Sequence, residues 1–146
     1  MPKFKFRLKT VLNVKELKKK QSVVDYAELS RYLEIQEQML SGMKNKSTEI
    51  ADLLTHEASK GITAAEIKTH SAFLRRIDKD IKNQSRVVDD IHKEKQNLQA
   101  ALFKLHNEVR VLESLRQRRQ IDFLHDLEKQ EEKRVDEFVT YTLSII

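Results

Sequence analysis

Apolar residues recur along most of the chain at alternating steps of three and four. The first run is Tyr26, Leu29, Leu33, Gln36, Leu40, Met43, Ser47, Ile50 and Leu54. The second is Ile67, His70, Leu74, Ile77, Ile81, Gln84, Val88, Ile91, Lys95, Leu98, Leu102, Leu105, Val109 and Leu112. It holds its phase for about seven heptads, far longer than chance allows. A strict seven-residue period is the seam of a coiled coil and predicts a left-handed supercoil. Before Tyr26 the first seam weakens, with Ser22, Lys19 and Lys15 in its positions, and resumes at Leu12 and Leu8. Past Leu115 the second becomes mixed, with Phe123, Leu124, Leu127, Val135 and Phe138 at irregular spacings.

A turn separates the runs at "SKGITAAEIK", residues 59–68. Glycine takes the left-handed conformation without a side-chain clash, so Gly61 suits the position just past a helix end. Thr63 and Glu66 have the spacing of a capping box, and Ile62 and Ile67 that of a hydrophobic staple. The junction is too short for a loose linker. The pattern therefore predicts an all-α, antiparallel two-helix coiled-coil hairpin. Helix 1 is expected over about residues 3–60, the turn over 60–63 and helix 2 over about 63–143, with 1–146 a single coiled-coil domain. Gly42 lies off the seam and the phase crosses it, so helix 1 is expected to continue there at a cost of about 1 kcal/mol relative to alanine.

Pairing about Gly61 sets Leu33 opposite Ile91, Leu40 opposite Gln84 and Leu12 opposite Leu112. Gln36 and Gln84 fall about one layer apart, where polar seam residues fix register at some cost in stability. Helix 1 would be about 85 Å long and helix 2 about 125 Å. Helix 2 is the longer, with a C-terminal overhang of roughly 25 residues that helix 1 does not cover.

Composition supports this picture. Charged residues make up 35% of the 146 and aromatic ones 6%, with two glycines and one proline, the mixture of long helices rather than of a globular core. A two-helix seam is a thin core for its length, which leaves a partner room to complete its order. There is no cysteine, which excludes disulfides and thiolate metal sites and is compatible with a reducing compartment. No apolar run approaches the roughly 18 residues of a membrane span. The start, "MPKFKFRLKTVLNVK", lacks the apolar stretch of a signal peptide.

Charge changes the picture more. Residues 1–20 hold eight Lys/Arg and one acid, Glu16, a net of +7, while the rest of the chain is −2. Cations at a helix start oppose its dipole, so they are not placed for helix stability. An acidic partner surface and a merely solvated end both account for them. Anionic lipid or nucleic acid would also attract them.

Catalytic and metal chemistry find no support. There is no glycine-rich phosphate loop and no H-E-x-x-H motif. Asp89/His92 and Asp122/His125 have i, i+3 spacing, but a di-iron centre needs four converging helices. His70 on the seam reads as a tolerated end-layer residue. A two-helix hairpin offers no enclosed pocket for catalysis, so no enzyme, cofactor or metal is expected. Off the seam, Tyr32, Ile35 and Met39 repeat at i, i+3, i+7, with Phe73 and Val87 on helix 2. They are either scattered surface apolars or a docking face for a protein.

Three separated pieces together resemble one family. "FKFRLKTVLNVKE" is similar to its aromatic-Arg-Leu opening, here Phe4, Phe6, Arg7 and Leu8, then Val11, Leu12, Lys15 and Glu16. "GITAAEIKTHSAFLRRIDKDI" resembles its central glycine followed by an aromatic and spaced aliphatics. "VLESLRQRRQIDFLHDLEKQEEKRVDEF" resembles its Leu-Glu-x-Leu-x-x-x-Arg stretch and acidic-lysine tail, closing at Asp136 and Glu137. The family is FliJ, the small coiled-coil protein of the flagellar type III export apparatus.

The resemblance implies a non-enzymatic stalk whose termini-bearing end inserts into the hexameric flagellar export ATPase. It also implies contact with a membrane export gate protein and escort of export chaperones. The expected location is cytoplasmic, peripheral to the membrane at the flagellar base, with no specific nucleic acid bound and no transmembrane segment. On this view the ATPase-docking candidates are Lys5, Phe6, Arg7, Leu8, Lys9, Leu127, Asp136 and Glu137. Tyr32, Ile35, Met39 and Phe73 are gate- or chaperone-docking candidates by their off-seam position rather than by a family motif. The competing class is a generic basic coiled-coil adaptor that binds nucleic acid or anionic membrane through residues 3–20.

Overall fold

The computed structural model describes residues 2–145; Met1 and Ile146, the ends of the expected domain, lie outside them. It contains two helices, α1 (Lys9–Lys60) and α2 (Ala64–Ile145), joined by residues 61–63, and no strand among the described residues. They form a two-helix hairpin.

The turn follows its local chemistry. Gly61 has φ +83°, and its N–H donates to the Ala58 carbonyl at 3.3 Å. An added Cβ would meet nothing within 4 Å, so the constraint against a side chain is the backbone conformation alone. The Glu66 N–H donates to Thr63 Oγ1 at 3.3 Å, which realises one half of the capping box. α1 runs unbroken through Gly42.

The described residues pack as two compact units, Ser22–Ala101, and residues 2–21 with 102–145. In the first, Leu33, Val88 and Ile91 form a buried cluster supported by Leu29 and Leu40. Gln84 is buried beside it, and its Nε2 donates to Gln36 Oε1 at 2.8 Å and to the Gln36 carbonyl at 3.0 Å. This satisfies the polar layer, and no other register offers Gln84 the same partners. Lys95 completes its seam position by lying over the Tyr26 ring, 5.3 Å from its centre.

In the second unit, Phe6, Leu12 and Val109 are buried, with Phe4, Leu8, Leu112 and Leu115 against them. Here the structure corrects the expected start of helix 1. The helix begins at Lys9, not at residue 3, and residues 2–6 have no regular secondary structure. The reason lies in the sequence. Apolar Phe4, Phe6 and Leu8 alternate with Lys3, Lys5, Arg7 and Lys9, a period of two that suits an extended chain and would scatter the aromatics around a helix. Burial follows that alternation: the three apolar residues are wholly or partly buried and the four basic ones exposed. No Ser, Thr, Asn or Asp precedes Lys9 to cap an earlier start.

An extended residue advances about 3.3 Å against 1.5 Å in a helix. The segment therefore reaches further along α2 than a helical turn would. The Phe4 ring packs against Phe123, 5.6 Å between centres and tilted by 51°, and Arg119 lies over Phe6 at 5.8 Å. Leu127 is half-buried, and every described residue from Glu128 to Ile145 is exposed. The uncovered helix thus starts later than residue numbering alone suggested.

Candidate protein-docking surfaces

The first surface belongs to the unit holding the N-terminal segment. Lys5, Arg7 and Lys9 are all exposed while Phe4, Phe6 and Leu8 pack inward, and residues 7 and 8 form a turn closed by the Lys9 N–H donating to the Phe6 carbonyl at 3.1 Å. The expected docking set is therefore divided. Phe6 is only 8% exposed and belongs to the chain's own core. Leu8 and Leu127 are half-buried, while Asp136 and Glu137 stand on the uncovered part of α2.

A seam lysine anchors the same unit. Lys15 Nζ donates to Glu108 Oε2. That hydrogen bond holds the Glu108 carboxyl below its ordinary value against a desolvation that would raise it, and the charges of Lys15, Lys104 and Lys18 add to the effect. A lowered carboxyl stabilises the fold above its unfolded value, and the contribution disappears as pH falls through the lowered one. Lys15→Met is expected to return the Glu108 midpoint towards the usual glutamate range. Carboxyl-carbon NMR across an acid titration checks this, and an unchanged midpoint would mean that the hydrogen bond is not its cause.

The second surface lies on the unit Ser22–Ala101. Tyr32 and Met39 are seven residues apart on the edge of α1 that flanks α2, and Lys46 continues that edge. Lys46 Nζ sits 5.5 Å from the centre of the Phe73 ring, so Phe73 belongs to the facing edge of α2. Val87, two heptads on, follows Phe73 along it. Tyr32, Ile35, Met39, Phe73 and Val87 are all exposed. The structure therefore brings the four gate candidates to one side of this unit, with a lysine at one end. His92 Nε2 and Glu37 Oε1, 2.9 Å apart, occupy the opposite edges.

Among the described residues no three His, Cys, Asp or Glu side chains converge to hold a metal ion. No helix among them is long and apolar enough to cross a membrane. Grooves along the helices are shallow strips, one of them lined by Val11, Phe103, Val111 and Leu112 with Lys15 and Lys104. Phe103, Val111 and Ile121 are exposed apolar residues that a heptad seam does not mark, because they lie off the face that pairs.

The model of the flagellar FliJ protein family matches residues 4–144, nearly the whole chain. The chain belongs to the FliJ family. Membership implies a component of flagellar protein export, and the long hairpin agrees with the fold that the sequence resemblance led one to expect. No curated relative and no solved structure matched it. The FliJ match covers both surfaces, including the alternating basic segment from Phe4 onward and the uncovered helix to Ser144.

Proposed function

We propose that this FliJ-family chain is a coiled-coil stalk that docks into the hexameric export ATPase through the unit carrying residues 2–21. The observation that carries the reading is the N-terminal segment, pinned by Phe4 and Phe6 while Lys5, Arg7 and Lys9 stay exposed, which we read as one cationic edge. A pore of six subunits repeats any acidic residue six times, and its field on such an edge is strong at short range. Asp136 and Glu137 on the uncovered helix supply a second, acidic contact. The apolar face of Tyr32, Ile35, Met39 and Phe73 serves the membrane export gate and, in turn, export chaperones. The chain acts at the cytoplasmic face of the membrane as a peripheral, non-enzymatic component.

Nucleic-acid binding through residues 3–20 fits the structure less well. Single-strand binding needs aromatic faces free for base stacking. Phe4 is engaged with Phe123, and Phe6 is buried under Arg119.

Charge reversal at Lys5, Arg7 and Lys9 together tests the proposal. It is expected to reduce stimulation of the export ATPase about tenfold or more, a loss of about 1.4 kcal/mol of coupling. Raised salt should weaken stimulation by the native chain in the same way, because screening sets in over about 8 Å at physiological ionic strength. Helicity should not change, since all three side chains are exposed. Full, salt-independent stimulation by the reversed variant would refute docking through this edge.

A further inference from the structure

The outer face of α2 from Leu102 onward carries an apolar line that nothing in the chain covers. Phe103 and Ile121 are each 66% exposed and Val139 is 47% exposed. They are spaced by eighteen residues, which is five turns of a straight helix, so all three lie along one line. Shallow grooves flank that line, one lined by Arg110, Ser114 and Arg118, another by Glu128, Glu131 and Glu132.

Charge along the segment is divided about its middle. Residues 102–120 carry five Lys/Arg and two acids, a net of +3, and residues 122–137 carry seven acids and three Lys/Arg, a net of −4. Ile121 stands between the halves. A second copy laid antiparallel about Ile121 would set Phe103 against Val139, Arg110 against Glu132, and Ile121 against itself. Every basic half then meets an acidic half. A parallel arrangement would set like charge on like.

We infer that this face is a self-association surface, on which two copies of the chain pair antiparallel about Ile121. The pairing is isologous and closes on itself, so it yields a dimer and not a filament. The paired strip runs from Phe103 to Val139, about 54 Å, and is roughly 10 Å wide. That is less than the roughly 800 Å² per partner of a standard interface, so the dimer is reversible, with a Kd of about 10 μM or weaker. The overlap includes Asp136 and Glu137, so the dimer is a resting form that must open before the ATPase docks. This corollary rests on the function proposed above, and the test of the dimer does not, because it uses the chain alone.

Sedimentation equilibrium of the full chain over about 1–200 μM is expected to show a monomer–dimer equilibrium at low salt. Ile121→Asp should weaken it at least tenfold with helicity retained. Arg110→Glu should also weaken it, and adding Glu132→Arg to that variant should restore it. The chain has no cysteine, so engineered ones report cleanly. Mixing Phe103→Cys and Val139→Cys chains under mild oxidant should give a crosslinked heterodimer, while Phe103→Cys alone should give none. A chain that stays monomeric throughout, as it would if another partner owned this face, overturns the inference. So does self-crosslinking of Phe103→Cys, the mark of a parallel pair.

Discussion

Leu12→Ala is expected to weaken the unit that carries the N-terminal segment by about 2–5 kcal/mol. Leu12 is 1% exposed, the most enclosed side chain described, and sits between Phe6 and Val109. Truncation removes its own burial and leaves a cavity that a two-helix core has few neighbours to fill. The segment before Lys9 is affected most, because that cluster is what fixes it against α2. Amide hydrogen exchange should speed up over residues 6–21 and the facing part of α2, while the cluster around Leu33 keeps its protection. In a hairpin each layer touches only its neighbours, so damage is expected to stay local. Uniform loss of protection along both helices would show that the two clusters fold as one unit.

Replacing Met39 and Phe73 together by alanine is expected to leave helicity nearly unchanged and to weaken docking to the export gate about thirtyfold or more, on the order of 2 kcal/mol. Both side chains are exposed, so their removal opens no cavity. An aromatic residue in such a face is the usual anchor of a protein interface, since it buries large area at little entropic cost. Lys46 beside the Phe73 ring adds a positive charge, which suits a partner with an acidic rim. Thermal unfolding by circular dichroism, paired with a binding titration, separates the two effects. A large fall in melting temperature with unchanged gate affinity would move these residues from the surface into the core.

How much of this was legible in the sequence depends on the kind of pattern involved. The seam was readable because burial in a helix pair repeats every seven residues, and Leu12, Leu33, Ile77, Gln84, Val88, Ile91 and Val109, all assigned to it, are buried. Ile67 failed: it is 41% exposed. The stretch of α1 beside it near the turn is polar, with His56 and Glu57, so it has no apolar layer to join. Glu57 instead meets His70, 3.5 Å between Oε2 and Nε2. The start of α1 was missed for a different reason. A period of two runs through Phe4, Phe6 and Leu8, and a heptad frame carried back to Leu8 passes over it. The exposed line through Phe103 and Ile121 is invisible to any search for a buried seam. The docking partners are not written in periodicity at all; only the family match and the charge distribution bear on them.

On the proposed function, the unit with the N-terminal segment, and not the turn at Gly61, enters the ATPase. Site-specific photocrosslinking addresses it directly. A benzophenone amino acid is placed at Lys5, at Asp136 or at Lys60, each an exposed position, and the chain is irradiated with the assembled export ATPase. Crosslinks to the ATPase from positions 5 and 136, with none from 60, are the predicted result. Crosslinks from position 60 with none from 5 or 136 would contradict it.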